Sequence, residues 1–171
     1  MNSSQNLILV GPMGSGKSAV GRALARELGR DFVDSDDVIE ERTGVDIPFI
    51  FEKEGEAGFR DREARVIADL TGMDGIILAT GGGAVVREEN RQHLGARGFV
   101  IYLKTSVDQQ LKRTSRGRER PLLSQSEDPR DKLDRLMRDR ESKYLEIADL
   151  IVTTDGRKVQ AVTREILGKL P

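Results

Sequence analysis

Apolar positions along the chain fall into two kinds of run. Short, β-branched stretches recur at Asn6 to Val10, Asp31 to Val33, Gly75 to Ala79, Gly98 to Leu103 and Leu150 to Thr153, and read as strands. Longer stretches between them carry helical spacing. Lys17 to Leu28 puts Val20, Ala23, Leu24 and Leu28 on one face and stops at Gly29. Further helices are expected at Glu88 to Leu94, Val107 to Thr114, Asp131 to Ile147 and Lys158 to Leu167, and one more begins near Phe59. Ser106 with Gln109 three positions on has the form of a capping box for the helix at Val107. Strands alternating with helices call for an α/β domain whose five-stranded parallel sheet is flanked by helices, because parallel strands need crossovers to run back along the sheet. Ligands of such folds collect at the carboxyl ends of the strands.

Neither an internal repeat nor a Gly/Ser- or Pro-rich linker divides the sequence, so residues 1–171 read as a single domain. One stretch departs from the alternation. From Ser115 to Arg130 the chain is polar, contains Pro121 and Pro129, and bunches Arg116, Arg118 and Arg120 around Gly117, the composition of a functional loop. Composition adds exclusions. With 28 Lys+Arg against 29 Asp+Glu the net charge is −1, which argues against a dedicated nucleic-acid binder. There is no Cys, hence no disulfide framework, thiolate metal site or thiol nucleophile, and this fits a reducing compartment. MNSSQNLILVG lacks the basic and apolar regions of a signal peptide, and no apolar run approaches a membrane span. A soluble cytoplasmic protein is expected.

Directly after the first strand stands GPMGSGKS: Gly11, four residues, then Gly16, Lys17 and Ser18. This is a complete P-loop. Its glycines let backbone N–H groups turn inward around phosphate oxygens, the following helix N-terminus adds positive potential, the lysine reaches the β/γ-phosphates, and the serine can ligate Mg²⁺. A chance glycine turn before a helix is the weaker alternative, since strand and helix flank the motif as its mechanism requires.

The fate of the γ-phosphate rests on the remaining polar residues. FVDSDD closes the second strand, and alternation puts Asp34 and Asp36 on one side with Asp37 turned away. The strand IILAT runs into Gly81, Gly82 and Gly83 with no acid, which makes Asp34 the candidate Mg²⁺ partner. Asp36 can take the proton of a hydroxyl attacking the γ-phosphate. The alternative for these acids is helix capping, above all for Asp37. Three glycines at a strand end present bare backbone to a substrate, or simply make a tight turn. Glu63 falls on the apolar stripe of Phe59, Val66, Ile67 and Leu70, where a carboxylate needs a partner, and Arg60 is three residues away. Arg140 sits on the stripe of Leu133, Leu136, Met137, Tyr144 and Ile147, the position of an arginine facing a buried anion. Arg120 can act as an arginine finger in cis, and Arg113 can stack on a base. His93, the only histidine, lies in a polar helical stretch and reads as surface.

GPMGSGKS, DSD, GFRDRE, TGGGAV, RPLL and RESKY, in this order and at these distances, resemble the shikimate kinases. The likeness runs from about Leu7 to the final helix. It implies a nucleoside-monophosphate-kinase-like P-loop NTPase fold with a mobile lid, and transfer of the ATP γ-phosphoryl to the 3-hydroxyl of shikimate in aromatic amino-acid biosynthesis. By the same resemblance Asp36 contacts the reacting hydroxyl. Arg60, Arg140 and the backbone of Gly81 and Gly82 surround shikimate, with Glu63 holding Arg60 or a substrate water. Gly14, Ser15, Gly16, Lys17, Ser18 and Ala19 form the nucleotide cradle, with Arg120 on the phosphates and Arg113 on the adenine side. Ser18 and Asp34 hold a single Mg²⁺. Residues 115–124 match the lid, and residues 35–70 the acceptor-binding helices. A monomer is implied, with shikimate and ATP as its partners. Two departures stand out: Ala19 replaces a frequent Thr, and RESKY lacks the Pro that often precedes Leu-Tyr. Gluconate-type and nucleoside monophosphate kinases are the competing enzymes, since Arg60 and Arg140 suit a phosphate or sugar acid as well. A GTPase-like switch is the competing class outside enzymes, but no NKxD is present and DLTG at Asp69 to Gly72 follows a predicted helix.

Overall fold

The structure, a computed structural model, describes residues 2, 4–114 and 127–171. The expected lid, with Arg116, Arg118 and Arg120, lies outside these residues. Chain order is β1 (Asn6–Val10), α1 (Lys17–Leu28), β2 (Phe32–Asp34), α2 (Ser35–Thr43), α3 (Ile47–Thr71), β3 (Ile77–Ala79), α4 (Glu88–Arg97), β4 (Gly98–Lys104), α5 (Val107–Thr114), α6 (Pro129–Ile147), β5 (Leu150–Thr153) and α7 (Val159–Lys169). All strand pairings are parallel, in the order β2-β3-β1-β4-β5.

Alternation along β1 divides the core. Leu7 and Leu9 pack with Val20, Leu24, Val162 and Ile166 under α1 and α7. Ile8 and Val10 point the other way, to Ile39, Phe59, Ile67, Leu94 and Tyr144 under α2, α3, α4 and α6. Because β1 is covered on both faces, all five of its residues are buried, which explains its unbroken apolar run. The chain leaves β1 over the α1 face toward β2, and leaves β3 over the α4 face toward β4. These neighbouring strands are therefore a topological switch point, and a crevice opens beyond their carboxyl ends. The P-loop follows one strand and the glycine triplet the other.

Four local readings change. The helix expected near Phe59 begins at Ile47, because Asp46 caps it through Phe49 N–H at 2.9 Å and Pro48 occupies its first turn. It bends at Gly55, whose φ of 72° and ψ of −177° lie in a region open only to glycine. The cap of α2 is Asp34, whose carboxylate accepts from Asp36 N–H at 2.9 Å and Asp37 N–H at 3.4 Å, whereas Asp37 sits in the first turn. Ser106 does cap α5 through Gln109 N–H at 3.2 Å, but its own N–H goes to Asp155 instead of to Gln109, so the box is half built. His93 is partly buried, with Nδ1 shielded and without a partner, and so is not simple surface.

Candidate active site

Gly14 and Gly16 take left-handed backbone at φ 77° and 92°, and Gly16 opens α1 with no side-chain cap. The helix thus presents unfilled amide donors and the positive end of its dipole to the crevice. Lys17 lies back over the loop, its Nζ donating to Gly11 O at 2.6 Å and Pro12 O at 2.8 Å, with Ser15 Oγ at 3.4 Å. Ser18 Oγ donates to Asp34 Oδ2 at 2.8 Å, bringing together the two residues expected at a metal. Both offer hard oxygen, and a serine beside one carboxylate is the sparse protein donor set that Mg²⁺ accepts when waters and phosphate complete its octahedron. Arg113 ties this region to the chain after β5, donating to Gly14 O at 2.7 Å and Thr154 O at 3.1 Å.

The glycine triplet meets the acceptor-side residues one by one. A Cβ on Gly81 would stand 3.0 Å from Asp36 Oδ1 and 3.3 Å from Glu63 Oε2. On Gly82 it would stand 3.3 Å from Met13 N and 3.7 Å from Arg140 Nη1, and on Gly83 it would collide with the Arg60 guanidinium. Three adjacent residues without side chains are what allow an aspartate, a glutamate and two arginines to converge on the P-loop. The turn itself is held by its carbonyls: Gly81 O and Gly83 O accept from Ala84 and Val86 N–H, Ala84 O from Asn90, and Val85 O and Val86 O from Arg91. Among the described residues nothing accepts from the N–H groups of Gly81, Gly82 or Gly83, so these amides remain available to a ligand.

Arg60 and Glu63 are both buried, at 6% and 0% exposed, and pair at 2.8 Å. This excludes the plain surface ion pair as their description. Burial pushes the Glu63 carboxyl above its usual range, and the nearby charges of Arg60, Arg140 and Arg87 offset part of that rise. Glu63 Oε2 is buried without a partner. Arg140, 6% exposed, is pushed below the ordinary guanidinium value by burial, and the like charge of Arg60 acts in the same direction. Two buried guanidiniums against one buried carboxylate leave a positive pocket suited to an anion.

One cleft collects these groups. Gly14, Gly16, Lys17, Ser18, Ala19, Asp34, Asp36, Arg60, Glu63, Gly81, Gly82, Arg113 and Arg140 all line it. Ser15 is the exception, 1% exposed and facing Lys17 from beneath the loop. Ile47, Pro48 and Phe51 form an apolar wall with Phe59, and sequence reasoning missed the first three because the start of α3 was placed too late. Asn90, Arg91 and Tyr144, which grip the glycine turn, were also missed as site residues. For Tyr144 a signal existed, since it shares a helical face with Arg140 one turn away.

Comparison with known proteins agrees with this geometry. A sequence model of the shikimate kinase family matches residues 13–171. The shikimate kinase of Methylococcus capsulatus is 56% identical over 98% of this chain and 93% of its own, and that of Vibrio cholerae 53% identical over 99% and 97%. Among solved structures, the shikimate kinase of Acinetobacter baumannii in complex with shikimate superposes with a TM-score of 0.94 at 46% identity, covering 99% of this chain and 97% of that one. With the P-loop, the glycine turn and the paired arginines all in one switch-point crevice, and relatives of this identity aligned from end to end, the chain belongs to the shikimate kinase family.

Proposed function

We propose that the chain transfers the γ-phosphoryl group of ATP to the 3-hydroxyl of shikimate, giving shikimate 3-phosphate and ADP. The observation that carries this reading is the contact between the two glycine turns, which sets a phosphate cradle against Asp36 and two buried arginines. ATP phosphates lie on the N–H groups of Gly14 to Ser18, with Lys17 leaving its loop carbonyls to meet the β- and γ-oxygens. Ser18 and, directly or through water, Asp34 would hold Mg²⁺, which would supply charge neutralisation on the transferring group. Arg113 flanks the adenine side, and Arg120 meets the phosphates from the lid at residues 115–124.

Shikimate sits on the other side of the crevice. Arg60 and Arg140 hold its carboxylate, the Gly81 and Gly82 amides face its hydroxyl oxygens, and Glu63 keeps Arg60 in place while its unpartnered oxygen takes a substrate hydroxyl or water. Asp36, beside Gly81, accepts the proton as the hydroxyl oxygen attacks phosphorus in line, the bond from the β,γ-bridging oxygen to the γ-phosphorus breaks, and ADP leaves. Lid closure excludes water, so that ATP is not spent on hydrolysis. No described helix is long and apolar enough to cross a membrane. Together with the cysteine-free composition this supports a cytoplasmic enzyme, which we infer to be a monomer, checked by sedimentation.

The test is ADP release with Mg²⁺ and ATP, comparing shikimate, gluconate, nucleoside monophosphates and no acceptor. Release dependent on shikimate supports the reading; response to another acceptor replaces the substrate; ATP binding without any transfer replaces the class. Asp36→Asn is expected to bind ATP as the wild type does and to lose most transfer, and turnover at the wild-type rate would remove Asp36 from the chemistry.

A further inference from the structure

Five of the six carbonyls from Gly81 to Val86 are held by backbone N–H groups or by α4 side chains, and the sixth, Gly82 O, is held from across the domain by the Tyr144 hydroxyl at 2.6 Å. Tyr144 is 1% exposed. Its ring stacks on Tyr102 of β4 with centroids 5.0 Å apart and planes 28° apart, and the Tyr102 hydroxyl donates to Glu141, which fastens the same turn of α6 to the sheet. A buried tyrosine usually finds some partner for its hydroxyl, and a backbone carbonyl in the core would serve. Here, however, the partner belongs to the glycine turn, and Tyr144 lines one small cavity with Arg140, one helical turn away on the same face of α6. The hydroxyl therefore bonds one of the groups assigned above to shikimate and lies beside another.

We propose that Tyr144 is a positioning residue for the acceptor half of the site: by donating to Gly82 O and lying against Arg140, it fixes the Gly82 peptide and the guanidinium relative to each other. The inference rests on the assignment of shikimate to this half. Burial pushes the hydroxyl up to about 12, so it stays protonated at working pH and acts as a fixed donor, outside the proton transfer. Tyr102 supports the ring from behind, and Glu141 keeps α6 in register with β4.

Tyr144→Phe keeps the ring and its stack while deleting the one donor. The expected result is a shikimate KM raised about tenfold, with the KM for ATP within about twofold of wild type and a melting temperature lowered by only a few degrees for the one hydrogen bond lost. An unchanged shikimate KM overturns the inference. So does a joint and equal rise of both KM values, because that is the signature of a merely structural tyrosine. In the Arg140→Lys background, Tyr144→Phe is expected to add less than it does alone, and full additivity also overturns the coupling. If the wild type itself shows no shikimate-dependent ADP release, the acceptor assignment falls and the inference with it. A wild type that turns over shikimate alongside an unaltered Tyr144→Phe condemns only the role of Tyr144.

Discussion

Asp34 serves two structures with one carboxylate. Oδ1 closes the N-terminus of α2 through Asp36 N–H, and Oδ2 receives Ser18 Oγ. The cap fixes the backbone at Asp36, so a residue assigned to the metal also sets where the proposed base stands. The two roles separate by substitution. Asp34→Asn keeps an acceptor oxygen and is expected to stay within about 0.5 kcal/mol of wild-type stability, while the Mg²⁺ concentration for half-maximal rate rises; Asp34→Ala additionally loses about 1 kcal/mol with the cap. Urea denaturation beside a Mg²⁺ titration reads both, and an unchanged Mg²⁺ requirement in Asp34→Asn removes Asp34 from the metal. Glu63 shows the opposite economy, being buried for one partner. Among the described residues, Glu63→Ala leaves Arg60 in the interior with Glu56 at 3.5 Å, itself largely exposed, as its one carboxylate, and is expected to cost about 3–5 kcal/mol in the same urea experiment.

At the scale of elements, the glycine turn and the bend in α3 carry the site, and they differ in how a methyl group would harm them. On Gly83 the new carbon's nearest neighbours are all atoms of the buried Arg60 guanidinium, so Gly83→Ala is expected to bind shikimate poorly and to lose stability as Arg60 is pushed away from Glu63. On Gly55 it meets nothing within 4 Å, yet the backbone conformation itself excludes a side chain, so Gly55→Ala is expected to lose about 1–3 kcal/mol of stability. Thermal melts paired with shikimate KM values distinguish these outcomes. That bend also explains what the sequence hid. The strands and the P-loop were legible because a buried parallel strand is a bare apolar run and the P-loop has fixed spacing. The stripes around Glu63 and Arg140 were legible because each keeps unbroken helical spacing, from Phe59 to Leu70 and from Leu133 to Ile147. Ile47 to Glu54 was not, because Gly55 breaks the phase of the helix and the charged run Glu52 to Glu56 masks its apolar side, hiding Phe51, which packs against Phe59 at 4.9 Å. Asp34 and Asp37 were both capable of capping α2, and only the backbone at Asp34, extended at φ −107° and ψ 124°, decides between them. The hydroxyl of Tyr144 was hidden for another reason: its partner lies 62 residues away, and no local spacing encodes that contact.

For the molecule as a whole, the switch point divides one cleft into two halves that share the contact between the glycine turns, and each half is built from different elements. The proposed nucleotide half uses α1, α5 and the chain after β5; the proposed acceptor half uses α2, α3 and α6. Ligands binding only the folded chain should therefore stabilise it independently through each half, by an amount set by mass action: about 2.7 kcal/mol at a concentration 100 times the Kd. For a chain of this length that corresponds to a rise in melting temperature of roughly 5–10 °C. Shikimate alone is expected to give this shift, and Mg²⁺ with ADP alone likewise. Arg140→Ala removes a buried charge from the acceptor half and none of the groups expected on the phosphates, so it is expected to abolish most of the shikimate shift while leaving the Mg²⁺·ADP shift in place. Lys17→Ala is expected to do the reverse. If Arg140→Ala instead suppresses both shifts equally, the two halves are one cooperative site, and the separation of nucleotide and acceptor elements drawn from the topology is wrong.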